Sequence, residues 1–295
     1  MRIAQVTASL EFMTQHSHHH AHHHDEHTPA HETALADLLE LDAEIFGSYL
    51  DQVAEWAGRR VGEAPRRVVD VGAGTGVGSL ALARRFPAAE VIAIDRSEVM
   101  LERVRAAALG QGMADRVSGV HADLNAGWPA VEAADVVWAA SSLHEVSDPD
   151  RVLRDMYAAL NPDGVLVLVE MDALPRLLPD DLGLGRPGLE SRCHEALARM
   201  DWNAHPNWRA HVERAGFGDV EQRSFTSEAR PAPQSTGRYA HTFLRRVRSA
   251  LDGQLAADDR DTLDRLLSDD GPDSVLHRGD LTVRGSRTAW TARRP

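Results

Sequence analysis

Residues 68–76 read Val68-Val69-Asp70-Val71-Gly72-Ala73-Gly74-Thr75-Gly76. The valines predict a buried parallel strand, because a strand covered on both faces is apolar throughout. Asp70 stands near the end of that strand. Gly72, Gly74 and Gly76 then alternate with Ala73 and Thr75, so the backbone can turn tightly and approach a ligand with no Cβ in the way. From Val77 to Phe86 the pattern is helical. Strand, glycine turn and helix, in that order, open a nucleotide-type α/β unit. They do not say which nucleotide.

Downstream the chain keeps a βαβ rhythm. Strands are expected at Glu90 to Ile94, ending on Asp95, and at Arg116 to His121, ending on Asp123. A fourth is expected at Asp135 to Ala139, followed by ASSLHEV, and a fifth, fully buried, at Val165 to Glu170. Helices are expected at Val99 to Leu109 and Pro149 to Leu160, with a turn at Asn161-Pro162-Asp163-Gly164. Beyond this the rhythm loosens. Pro175 to Pro187 reads as a loop, Glu190 to Met200 and Asn207 to Ala215 as helices, and Asp219 to Thr226 as a strand. A Pro-rich link at Arg230 to Gly237 leads to two amphipathic helices, Tyr239 to Leu251 and Asp258 to Leu267. Leu281 to Ala292 alternates as the last strand.

Upstream, Glu32 to Ala57 is amphipathic and predicts one or two helices packed on the sheet. They can also roof a ligand, with Tyr49 as a polar tip. Residues 1–32 form a tail with nine histidines between His16 and His31, a low-complexity tract expected to be disordered. Imidazole binds divalent metals, so the tract could take up a divalent metal adventitiously; the plainer reading is a solvated tail. The expected organisation is the tail at 1–32, a helical lid at 33–65 and one α/β domain at 66–295. Inserted segments are expected at about 175–205 and 230–278.

Composition excludes several classes. The chain has 295 residues and a net charge of -13, so its surface as a whole repels phosphate backbones and nucleic acid is not an expected partner. No apolar run is long enough for a membrane helix, and residues 1–15 lack the pattern of a secretory signal. A single cysteine suits a reducing cytoplasm. The absence of lysine removes Schiff-base chemistry and the lysine of a phosphate-binding P-loop.

The strand ends choose the nucleotide. Asp70, Asp95 and Asp123 present three carboxylates at the edge of an open α/β sheet where ligands bind. Asp95, about 20 positions after the glycine turn, is placed to accept hydrogen bonds from a ribose diol. Asp123 could accept from an adenine amino group. Asp70 would repel a pyrophosphate but attract an ammonium. The dinucleotide fingerprint G-x-G-x-x-G/A fails from Gly72, whose third place is Val77. A ligand with ribose, adenine and a cationic amino-acid end fits all three aspartates, and S-adenosylmethionine is such a ligand.

On these residues the chain resembles the class I S-adenosylmethionine-dependent methyltransferases. Asp70 to Gly76 matches the family's acidic-x-G-x-G-x-G, Asp95 and Met100 its second-strand region, and Asp123-Leu124 its adenine-facing motif. Asp135 to His144 matches the fourth region. Leu160 to Gly164 resembles L-x-P-G-G, with Asp163 replacing the first glycine. The resemblance covers residues 66 to 172 well and the remainder loosely. It implies a Rossmann-like α/β fold with a seven-stranded, mostly parallel sheet in the order 3-2-1-4-5-7-6, helices on both faces, and the last strand antiparallel. It also implies cofactor contacts at Asp70, Gly72, Ala73, Gly74, Gly76, Asp95, Arg96, Met100, Asp123, Leu124, Ala139 and Ala140. The product would be S-adenosylhomocysteine.

Methyl transfer from a sulfonium is an in-line displacement, so the protein must align the nucleophile and exclude water. His144 and Glu145 follow the fourth strand at the pocket edge. His144 is the candidate base or orienting group, and Glu145 and Tyr49 are candidate acceptor or lid residues. The fourth region lacks the N/D-P-P-Y/F tetrad that in the family marks methylation of nucleic acid bases. Cys193, His194, His205 and His211 match no standard metal spacing, so no metal site is expected. Arg245, Arg246 and Arg248 read as a solvated helix face rather than a grip for an acidic substrate. The expected function is methylation of an O or N atom of a small molecule. The alternatives are a protein or peptide methyltransferase, and a non-catalytic binding or metal-sensing protein of the same fold. An NAD-dependent oxidoreductase is disfavoured by the glycine spacing.

Overall fold

A computed structural model describes residues 29–62, 64–202, 205–229 and 232–295. Seven strands form one sheet: β1 (Arg67–Val71), β2 (Glu90–Asp95), β3 (Val117–His121), β4 (Ala134–Ala140), β5 (Leu160–Arg176), β6 (Gly218–Ala229) and β7 (Val283–Arg293). Their order is β3-β2-β1-β4-β5-β7-β6, as the resemblance implied. β1 to β5 run parallel, while β7 is antiparallel to both β5 and β6. The order reverses between β1 and β4, and a crevice at such a switch point is where open α/β sheets bind ligands.

Nine helices are described: α1 (Pro29–Phe46), α2 (Ser48–Gly58), α3 (Val77–Arg85), α4 (Glu98–Gly110), α5 (Pro149–Ala159), α6 (Leu189–Ala198), α7 (Trp208–Arg214), α8 (Thr236–Ala250) and α9 (Ala257–Leu266). None of the described helices is long and apolar enough to cross a membrane. α4 starts where Ser97 caps it by accepting from the Met100 N–H, and α5 where Asp148 accepts from the Arg151 N–H ahead of Pro149.

Strand alternation sorts the core into two layers. Val68, Val136, Trp138, Val165, Val167 and Val169 point to the layer closed by α2, α3 and α8. Val69, Val71, Val137, Ala139, Leu166 and Leu168 point to the layer closed by α5 and α7. Side chains of successive strand residues face opposite ways, so the central parallel strands β1, β4 and β5 are buried on both faces.

The first helix begins at Pro29, inside the stretch read as tail. The apolar face that drives it to the sheet starts at Leu38 and continues through Leu41, Ile45 and Phe46, and the helix extends back from that face to a proline at its first position, where no N–H is needed. The histidine tract from His16 to His27 lies outside the described residues. β5 also runs past Glu170 to Arg176, because its later residues still pair with β7 across two bulges.

Candidate functional site

The site grows from the end of β1. Asp70 pairs in register with Trp138 of β4, so both side chains face the same crevice. The Asp70 carboxylate is buried, and its Oδ2 accepts from the Ser79 hydroxyl of α3 at 2.6 Å. Burial pushes the Asp70 pKa up to about 7; Ser79 pulls it down and the negative charge of Asp95 pushes it further up. The Trp138 indole N–H is buried without a partner.

The glycine turn is held by β2. Gly72 and Ala73 donate to the Ile94 carbonyl at 2.8 and 3.0 Å, and Gly74 donates to Asp95 Oδ2 at 2.8 Å. Gly72 has φ +67°, and a Cβ there would lie 2.3 Å from Ser142 Cβ, so only glycine fits. Ser142 in turn donates to the Val71 carbonyl at 2.7 Å. A Cβ on Gly74 would meet only Leu39 of α1, so the turn leaves open space between strand end and roof.

The other strand ends complete the floor. Asp95 Oδ1 accepts from the Ser97 N–H at 2.9 Å, and burial raises its pKa. Asp123 Oδ1 accepts from the Asn125 N–H at 2.9 Å. After β4, Ser141 takes φ +52° and donates to the Val169 carbonyl, which sets a short 3₁₀ turn over Leu143–Glu145. His144 Nδ1 donates to Glu170 Oε2 at 2.8 Å, and its Nε2 lies 3.3 Å from Glu145 Oε1, a charge contact without hydrogen-bond alignment. Burial pulls the His144 pKa down, but Glu170 and Glu145 outweigh it and hold it at about 10.

Two segments form the roof. α1 contributes Leu35, Leu38, Leu39 and Asp42, and α8 contributes Tyr239, Phe243 and Arg246. Tyr239 donates to Asp42 Oδ1 at 2.8 Å and ties the two helices together. Arg287 of β7 lies 3.9 Å from Asp42 and stacks over the rings of Phe46 and Tyr49. Burial pushes the Tyr49 phenol up to about 12, against the pull of Arg287. Floor and roof enclose a cavity of about 370 Å³.

Of the predicted residues, Asp70, Gly72, Ala73, Gly74, Asp95, Arg96, Met100, Asp123, Leu124, Ala140, His144, Glu145 and Tyr49 line this cavity. Two do not. Gly76 caps α3 at φ +85°, and a Cβ there would press on Val104 of α4 at 2.9 Å, so its glycine serves helix packing. Ala139 points to the opposite layer with Val137, as strand alternation dictates once Trp138 and Ala140 face the cavity. The sequence reading missed Trp138, Ser142, Asp42, Arg287, Trp202 and Phe243, all in the lining, and Glu170. Only Glu170 left a signal, as a carboxylate closing the apolar run of β5.

Arg245, Arg246 and Arg248 do not share one environment. Arg245 is exposed, Arg248 pairs with Asp252 and Asp264, and Arg246 lines the cavity. The residues weighed for metal are apart: His211 meets Asp150, His205 meets the Met171 and Pro206 carbonyls, and Cys193 is buried. No cluster of metal-ligating side chains occurs among the described residues.

Residues 68–164 match the model of a family described as a methyltransferase domain. The chain is 32% identical over 166 residues to the malonyl-[acyl-carrier protein] O-methyltransferase of Laribacter hongkongensis, covering 55% of this chain and 50% of that one. It is 32% identical over 193 residues to methyltransferase GfsG of Streptomyces halstedii, covering 62% of this chain and 67% of that one. The chain thus spans about half the length of the curated relatives that head the comparison. Among solved structures, a provisionally assigned methyltransferase from Bacillus halodurans superposes with a TM-score of 0.53 at 21% identity, covering 84% of this chain and 99% of that one. That likeness concerns the fold.

Proposed function

The chain belongs to the class I S-adenosylmethionine-dependent methyltransferases, and from that premise we propose that it methylates an oxygen or nitrogen of a small-molecule acceptor by in-line displacement. When bound, S-adenosylmethionine supplies a methyl group already activated on a sulfonium. The residues of this chain fit it. The glycine turn presents backbone with no Cβ toward the cavity at Gly74, and Asp70 is a buried carboxylate whose side-chain partner among the described residues is a neutral hydroxyl, suited to an ammonium. The orphaned Trp138 N–H lies beside it. Asp95 would take the ribose diol, and Met100, Asp123 and Leu124 the adenine.

The observation that carries the reading is that one cavity joins the three strand-end aspartates to a second set of side chains under α1 and α8. A roofed cavity of this size suits a small acceptor rather than a peptide laid in an open groove. The roof would keep water from the reacting atoms and hold the acceptor in line. His144, expected as a base, is held as a cation by two carboxylates. In this arrangement it keeps its proton, so we assign it the orienting role, donating or offering charge to the acceptor. The relative named as an O-methyltransferase supports oxygen as the acceptor atom.

Isothermal titration with S-adenosylmethionine tests the donor site. The native chain should bind in the micromolar range or tighter, and Asp95→Ala should weaken binding by roughly 10-fold or more, the worth of charge-assisted hydrogen bonds. No binding by the native chain at millimolar ligand would refute the proposal. Unchanged affinity in the variant would refute the role of Asp95.

A further inference from the structure

On the acceptor side of the cavity, Arg246 is a cation that no acidic group among the described residues neutralises. Arg246 lies on α8 at helical spacing from Tyr239 and Phe243, so all three present to the cavity. Among the described residues it has neither an ion-pair nor a hydrogen-bond partner. Its companions there are already matched: Arg287 faces Asp42, and His144 faces Glu170 and Glu145. The carboxylates of the floor have their own donors too, Asp70 from Ser79, Asp95 from Gly74 and Ser97. Burial pulls the Arg246 guanidinium down to about 10, opposed by Tyr239, so it is still charged at neutral pH.

A partly desolvated guanidinium without a counter-charge is costly unless a ligand supplies one. Its planar fork matches a carboxylate with two parallel hydrogen bonds. Arg96 in the same lining already has a partner, so Arg246 is the unmatched cation among the described lining residues; it balances one negative charge, which disfavours a phosphate dianion. His144 points the same way, because a site whose imidazole already carries its proton suits an acceptor that needs no deprotonation. Trp202 and Phe243 pack with ring centroids 6.4 Å apart beside Arg246 in the lining and offer an apolar wall. We infer that the acceptor is a small molecule bearing a carboxylate, gripped by Arg246, with its apolar portion against Trp202 and Phe243. This rests on the methyltransferase reading and names the substrate class for that same cavity.

The test uses the full chain. S-adenosylhomocysteine is titrated first by calorimetry. The saturated protein is then titrated with 3-phenylpropionate, cyclohexanecarboxylate and adipate, each against its amide, and with phenyl phosphate. At least one acid should bind roughly 10-fold or more tightly than its amide, in line with a charge-assisted pair. Arg246→Gln should abolish that preference, and Arg246→Lys, which keeps the charge without the fork, should retain part of it. The inference falls if no acid out-binds its amide, if Arg246→Gln keeps the preference, or if phenyl phosphate out-binds every carboxylate. Loss of S-adenosylhomocysteine binding in both variants would place Arg246 in the donor site or the fold and also overturn it. Failure of the native chain to bind S-adenosylhomocysteine would instead sink the methyltransferase reading and the carboxylate with it.

Discussion

Asp70 is where folding and ligand binding pull in opposite directions. Its folded pKa of about 7 stands above the ordinary 3.8, first because burial disfavours the charge. A carboxyl group raised in this way stabilises the fold fully below its unfolded pKa, and that contribution is lost as pH rises through the folded value. The unliganded protein should therefore lose stability between about pH 4 and pH 7, which urea titrations at stepped pH would show. Asp70→Asn should flatten that slope. A cationic amino-acid end beside Asp70 favours the ionised form, so S-adenosylhomocysteine binding at pH 6 should release a proton, seen by calorimetry in buffers of different ionisation heat. The same proton release in Asp70→Asn would rule out Asp70 as its source. Asp70, Asp95 and Asp123 were legible because each stands at or just past the end of a strand, and strand ends share one edge of the sheet. Gly76 and Ala139 belong to the motifs yet lie outside the cavity lining: a motif records which residues recur, while φ and strand alternation decide which of them face the cavity.

Among the elements of the roof, α1 is held differently at its two ends. Its C-terminal half is anchored by Leu41, Ile45 and Phe46 in the core. Toward its N-terminus it is held by polar contacts: Ser97 to Glu32 at 2.8 Å, and Arg103 to Asp37 and Glu40. The Arg103 ion pairs are partly exposed to solvent and contribute little each, so local opening should start at that end of α1, with Gly47 as the joint to α2. Tyr239 to Asp42 is the bond that fastens the roof to α8. Tyr239→Phe should cost about 1 kcal/mol. It should also speed amide exchange across residues 32–46 and shorten the residence time of S-adenosylhomocysteine. Exchange rates equal to the native chain would show that the apolar face alone holds the lid. The helices of this roof were legible from their periodicity, but their bond was not. Asp42 and Tyr239 lie 197 residues apart, and helical periodicity says which face is apolar without saying what it meets.

At the scale of the whole molecule the sheet itself is shared by many nucleotide proteins, and its selectivity comes from what is set on its carboxyl edge. The order β3-β2-β1-β4-β5-β7-β6 brings Asp70, Asp95 and Asp123 together from the first three strands, while β7 returns antiparallel and delivers Arg287 to the acceptor side. A pyrophosphate would meet the Asp70 carboxylate at the glycine turn, whereas a sulfonium donor would place its ammonium there. The two ligand classes should therefore separate in one measurement on the intact chain. S-adenosylhomocysteine at 100 times its Kd stabilises a folded state that alone binds it by about 2.7 kcal/mol. For a chain of this size that raises the melting temperature by roughly 4–5 °C. NAD at the same concentration should leave the midpoint where it was. A rise with NAD and none with S-adenosylhomocysteine would mean that the acidic strand ends are read by a different ligand, and that Asp70 is neutral when the site is filled.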